Sequence, residues 1–144
     1  MLVADIMTRG AHVIDASASL ARAARAMARH GVGFLPVRRG GRLVGVVTDR
    51  DLALRPAVAR RSYDEACVAD VLSTEAHAIR EDTSLEAAAG ALRATGVRRL
   101  LVLDAAGTLV GVLSLGDLAA CERPPGLVGA VLRGRRRACT GAAR

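Results

Sequence analysis

Apolar residues along this chain fall into short blocks whose period switches between two and 3.6 residues. Leu20, Ala23, Ala24 and Met27 recur at helical spacing between Ser19 and Arg29, which gives that segment one apolar face. Gly31 follows at the place where a left-handed residue closes a helix. Val13-Ile14 reads as a short strand before the helix. Phe34-Leu35-Pro36-Val37 reads as a second strand after it, with Pro36 pointing to a sheet edge or a strand end. Gly40-Gly41 turns the chain, so that Arg42 to Val47 pairs back as a hairpin. Thr48 then opens a helix predicted to run to about Leu54.

The same succession occurs a second time. Ala78-Ile79 is a strand, Leu85 to Thr95 a helix closed by Gly96, and Arg99 to Leu103 a strand. Ala106-Gly107 turns into a return strand from Thr108 to Leu113, and Ser114 to Ala120 closes the copy as a helix. Thr83 and Glu86 stand at capping-box spacing. The residues themselves repeat as well. Val3-Ala4-Asp5-Ile6-Met7-Thr8 returns as Val68-Ala69-Asp70-Val71-Leu72-Ser73, 65 positions on. At an offset of 66, Leu43-Val44-Gly45-Val46 becomes Leu109-Val110-Gly111-Val112, and Asp51-Leu52-Ala53 becomes Asp117-Leu118-Ala119. Two copies of one supersecondary unit fix the architecture before any local detail. They span residues 1–57 and 68–122, with 58–67 as a linker and 123–144 as a basic tail. The tail is expected to be partly disordered, with a weak helical pattern from Gly126 to Arg133.

Composition narrows the function classes. The 144 residues hold one Phe, one Tyr and no Trp, so the core is built from Val, Leu and Ala. The stacking platforms of single-stranded nucleic-acid binders are missing. The net charge of +7 resides almost wholly in the tail, where Arg123, Arg133, Arg135, Arg136, Arg137 and Arg144 face no acid. Such a tail fits phosphate, anionic lipid or an acidic partner, or simply a solvated terminus. Cys67, Cys121 and Cys139 form no CxxC pair, and no leader pattern opens the sequence, which fits a reduced cytoplasmic protein. No apolar run reaches the roughly 18 residues of a membrane span.

Gly-Val-Val-Thr-Asp-Arg-Asp-Leu (45–52) and Gly-Val-Leu-Ser-Leu-Gly-Asp-Leu (111–118) share the signature G-h-h-[ST]-x-x-D-h. With the opening Asp5-Ile6-Met7-Thr8, and with Gly31 to Val37 and Gly96 to Val102 around the second strands, residues 1–122 resemble a tandem pair of cystathionine-beta-synthase (CBS) domains. Within that family the chain resembles the small stand-alone two-copy proteins, including those of hypoxic-response type. The resemblance implies an α/β (α+β) fold of two β-α-β-β-α motifs packed as a pseudo-twofold pair. It also implies a non-catalytic regulatory module, commonly a homodimer, with adenine nucleotide or S-adenosylmethionine as ligand in clefts between the copies, no required cofactor and an unidentified regulated partner.

On that resemblance, Asp51 and Asp117 accept from a ribose diol, and Thr48 and Ser114 contact ribose or phosphate. Arg50, Arg98 and Arg99 meet phosphate, and Val13, Ile14, Ala78 and Ile79 wall the base. An ionised carboxylate makes the stronger, charge-assisted hydrogen bond to a hydroxyl. The same Thr–Asp and Ser–Asp spacing is also how a helix caps itself. The copies are unequal, since Arg50 has Gly116 as its counterpart while Arg98-Arg99 corresponds to Gly33-Phe34. One competent and one degenerate site is the expectation.

His12 and His77 are equivalent and lack Cys or carboxylate neighbours at metal-binding spacing, and His30 stands where a helix C-terminus favours a cation. No nucleophile–base pairing, P-loop or metal cluster emerges, so catalysis is not expected. The alternative is a ligand-free dimeric interaction protein acting through its surface or its Arg-rich tail, with nucleic acid an unlikely partner.

Overall fold

Helical spacing and glycine stops become elements where the pattern places them. A computed structural model describes residues 1–59 and 61–121. In chain order it holds β1 (Thr8–Arg9), β2 (Ile14–Asp15), α1 (Leu20–His30), β3 (Phe34–Arg39), β4 (Arg42–Thr48), α2 (Asp49–Ala59), β5 (Ala78–Arg80), α3 (Leu85–Thr95), β6 (Arg99–Leu103), β7 (Leu109–Ser114) and α4 (Leu115–Ala120). Short 3-10 turns occupy Val3–Asp5 and Val68–Asp70. The fold is mixed α+β with one motif repeated. The basic tail, including Gly126 to Arg133 and the Arg133 to Arg137 cluster, lies outside the described residues.

The two central helices start and stop alike. Ser19 and Ser84 are the N-caps, their hydroxyls accepting the amides of Arg22 and Ala87, each at 3.2 Å. Gly31 and Gly96 close α1 and α3 at φ of 63° and 70°, a region glycine enters without strain. The box expected from Thr83 and Glu86 does not form. Thr83 lies one residue too early, and its carbonyl instead accepts the Val3 amide at 2.9 Å.

Compactness cuts across the repeat. Met1–Gly10 belongs with the chain from His77 on, while Ala11–Ala76 forms the other unit. The first of these contains the sheet β1-β7-β6-β5, and the second the sheet β2-β3-β4. Each opening turn therefore docks on the unit built by the opposite copy, in matching register. Val3 and Ala4 donate to the carbonyls of Thr83 and Glu81, each at 2.9 Å. Val68 and Ala69 donate to Ala18 and Ala16, each at 2.8 Å. Thr8 pairs with Val112, and Ser73 exchanges two backbone bonds with Val46. Val3 and Val68 are both fully buried, one in each core.

This docking explains the glycine that opens each signature. A Cβ at Gly111 would lie 2.6 Å from the Thr8 carbonyl oxygen, and one at Gly45 would strike the Ser73 carbonyl. Only a residue without a side chain lets the exchanged segment lie this close.

Pro36 departs from expectation, since β3 is the middle strand of its sheet. Val46, its partner across β4, bonds to Ser73, so Pro36 owes that side no hydrogen bond. On the other side its counterpart Leu101 donates to the His77 carbonyl at 2.9 Å, a bond proline cannot make. Accordingly β2 is Ile14–Asp15 rather than Val13-Ile14, one residue shorter than β5. The helix after Thr48 also outruns expectation, continuing through Pro56 to Ala59.

Candidate functional site

Both signatures turn from a strand into a helix through a reciprocal cap. At the end of β4, the Thr48 amide and hydroxyl both donate to Asp51 Oδ2, at 3.0 and 2.9 Å, and the Asp51 amide returns a bond to Thr48 Oγ1 at 3.2 Å. At the end of β7, the Ser114 amide and hydroxyl donate to Asp117 Oδ2, each at 2.7 Å, with a 3.2 Å return bond. The arrangement fixes a half-buried carboxylate beside a half-buried hydroxyl in each unit. The other Asp51 oxygen, Oδ1, faces Arg55 Nε at 3.3 Å.

In the unit holding residues 11–76, Phe34 is the cross-strand partner of Thr48. The Asp49 amide donates to the Gly33 carbonyl at 3.1 Å, and a Cβ at position 33 would collide with the Asp49 carboxylate. That crowding accounts for glycine here, where the other copy has Arg98 bonded through its carbonyl to the Leu115 amide. Arg50 is exposed, with its amide bonded to Asp49 Oδ1 at 2.8 Å. Val13 is exposed, whereas Ile14 is buried in the core with Leu35 and Val37.

In the other unit, Arg99 is the register partner of Ser114, and the Leu115 amide donates to the Arg98 carbonyl at 2.9 Å. That bond makes Arg99 and Ser114 a non-hydrogen-bonded pair, the kind whose side chains stand closest. Both arginines are exposed. Ala78 is exposed, while Ile79 is half-buried against the core. The fold thus gathers Arg98, Arg99, Ser114 and Asp117 around the β7–α4 turn, and Arg50, Thr48 and Asp51 around the β4–α2 turn. Arg55 did not emerge from sequence reasoning because the helix was expected to end at about Leu54; its i,i+4 spacing from Asp51 is the signal that finds it.

The histidines fall apart. His12 stacks on His30 with ring centroids 3.6 Å apart and planes at 12°, while the backbone of His77 accepts from Leu101. Among the described residues, no group of three or more His, Cys, Asp or Glu side chains is placed to hold a metal ion, and no helix is long and apolar enough to cross a membrane.

Residues 3–57 and 68–122 each match the CBS domain family. The chain belongs to the CBS-domain family. It is 38% identical over 117 residues to the CBS domain-containing protein YhcV of Bacillus subtilis, covering 81% of this chain and 82% of that one. The solved structure of hypoxic response protein I is similar at a TM-score of 0.74 and 25% identity, over 85% of this chain and all of that one. The structure of CBSX2, solved in complex with AMP, is similar at a TM-score of 0.68 and 34% identity, over 83% of this chain and 93% of that one.

Proposed function

We propose that this CBS pair is a non-catalytic regulatory module that binds an adenosine-containing ligand at a strand-to-helix turn. The observation that carries the reading is the AMP complex of CBSX2, a protein 34% identical to this chain. CBS-domain proteins are generally regulatory and non-catalytic. Asp51 and Asp117 offer carboxylates to the ribose diol, with Thr48 and Ser114 beside them. Arg50, Arg98 and Arg99 serve the phosphate of AMP, ADP or ATP. S-adenosylmethionine shares the adenosine but brings a cation in place of phosphate, which these arginines disfavour. Val13 and Ala78 are the exposed apolar positions for the base, with Ile14 and Ile79 behind them. The protein acts in the cytoplasm as a homodimer and passes its ligand state to a separate regulated protein. The ligand shifts that equilibrium only as far as it prefers one state.

A second reading draws on the caps themselves. Each aspartate already serves its own helix, so a ligand-free interaction protein would have the same residues in the same places. Thermal unfolding against a panel of AMP, ADP, ATP and S-adenosylmethionine decides between them. Ligand at 100 times its dissociation constant adds about 2.7 kcal/mol, which raises the midpoint by roughly 5–10 °C at this size. A shift of that size with one nucleotide supports the sensor; no shift with any of the four supports the ligand-free protein.

A further inference from the structure

The two capping carboxylates differ in what acceptor capacity they keep. Asp51 has both oxygens engaged, Oδ2 by Thr48 and Oδ1 by the Arg55 guanidinium at 3.3 Å. Asp117 uses Oδ2 for Ser114, and among the described residues no cation pairs with it. The reason lies in the helices. α2 runs on through Pro56, placing Arg55 one turn beyond Asp51, whereas α4 ends at Ala120. The residue at the Arg55 position of the second copy is Cys121, whose sulfur faces Met1 Sδ at 3.9 Å.

We propose that Arg55 silences the first motif as a ribose acceptor, so that the module takes one adenosine ligand, held at Asp117. This rests on the adenosine reading above. A ribose diol presents two O–H donors, and a carboxylate receives both well only while lone pairs on its second oxygen are open. At Asp51 a ligand must first displace a guanidinium that partly neutralises the charge, from a carboxylate only 16% exposed. At Asp117 no cation of the described residues has to be displaced, and the register sets Arg99 beside the same hydroxyl. A hydrogen bond to a charged acceptor is worth about a tenfold or greater change in affinity, enough to separate the two positions.

The test is calorimetric titration of the full chain with AMP. The wild-type protein is expected to bind one AMP per chain, and Asp117→Asn, which keeps the capping oxygen, to weaken that binding about tenfold or more. Arg55→Gln is expected to raise the stoichiometry towards two, Arg55→Lys to keep it at one, and adding Asp51→Asn to Arg55→Gln to remove the gained site. Circular dichroism of each variant confirms folding. Two equal sites in the wild-type protein, or an unchanged stoichiometry in folded Arg55→Gln, would overturn the silencing while leaving the adenosine reading intact. Absence of AMP binding in every variant would overturn both.

Discussion

The Tyr63 hydroxyl donates to the Leu52 carbonyl across 2.7 Å. Leu52 is the residue whose carbonyl position 56 would serve in an unbroken helix, and the proline there has no N–H to give. A phenol from beyond the helix thus replaces one missing rung of α2. Tyr63→Phe should cost about 1 kcal/mol, lowering the unfolding midpoint by roughly 3 °C. In the Pro56→Ala background the same change should cost much less, because an alanine at that position supplies its own amide. Equal losses in both backgrounds would show that the bond does not compensate for the proline.

The signature glycines should be intolerant of a single added carbon. Gly45→Ala and Gly111→Ala force the backbone of the exchanged segment away and should each destabilise by about 1–3 kcal/mol. Gly90 sits within α3 with nothing within 4 Å of an added Cβ, so Gly90→Ala should stabilise by about 0.5–1 kcal/mol. Urea unfolding of the three variants checks both directions at once.

That pair of glycines marks the limit of what sequence reading reached. The helices, their glycine stops, the hairpins and the Thr48–Asp51 and Ser114–Asp117 pairs were all legible, because each depends on neighbours within about four positions or, in the hairpins, about fifteen. The crossing of residues 1–10 to the unit of the second copy depends on contacts across some 75–110 positions of sequence, for which no local period exists. Pro36 misled, and the length of the helix through Pro56 was missed, for a related reason. A proline announces a missing donor, but whether that donor was needed is decided by Ser73 at Val46 and by Tyr63 at Leu52. At the site, the residue types were legible, whereas the burial of Ile14 and the reach of Arg55 required the fold.

Ser114 caps the shortest α-helix among the described residues, six residues long. Ser114→Ala removes the oxygen that receives the Asp117 amide and should cost about 1 kcal/mol. Ser114→Thr should restore most of it, since Thr48 performs the same role in the other copy. Thermal denaturation of the two variants distinguishes a cap from a residue needed only for its size.

Acid should weaken the fold through a few surface carboxylates. Arg80, by hydrogen bond and charge, holds Asp82 below the usual carboxylate range, and bonds from the Ser17 hydroxyl and amide do the same for Asp15. Glu86 is lowered first by its own backbone amide and then by Ser84. Depressed values in the folded state mean that the contribution is complete at neutral pH and disappears as pH falls through them. The unfolding midpoint should therefore fall below about pH 4. Asp82→Asn should flatten that fall, and salt should shrink the difference because Asp82 and Arg80 are exposed. A pH profile identical in Asp82→Asn would remove this pair from the account.

The exchange of opening turns sets an order of events on the ribosome. The contacts within residues 11–76 are all available once Ala76 has emerged. Val3, made before all of it, waits for Glu81 and Thr83, and Thr8 waits for Val112. Residues 1–10 are therefore made before the partners they need, and stay without them until the strand around Val112 clears the ribosome.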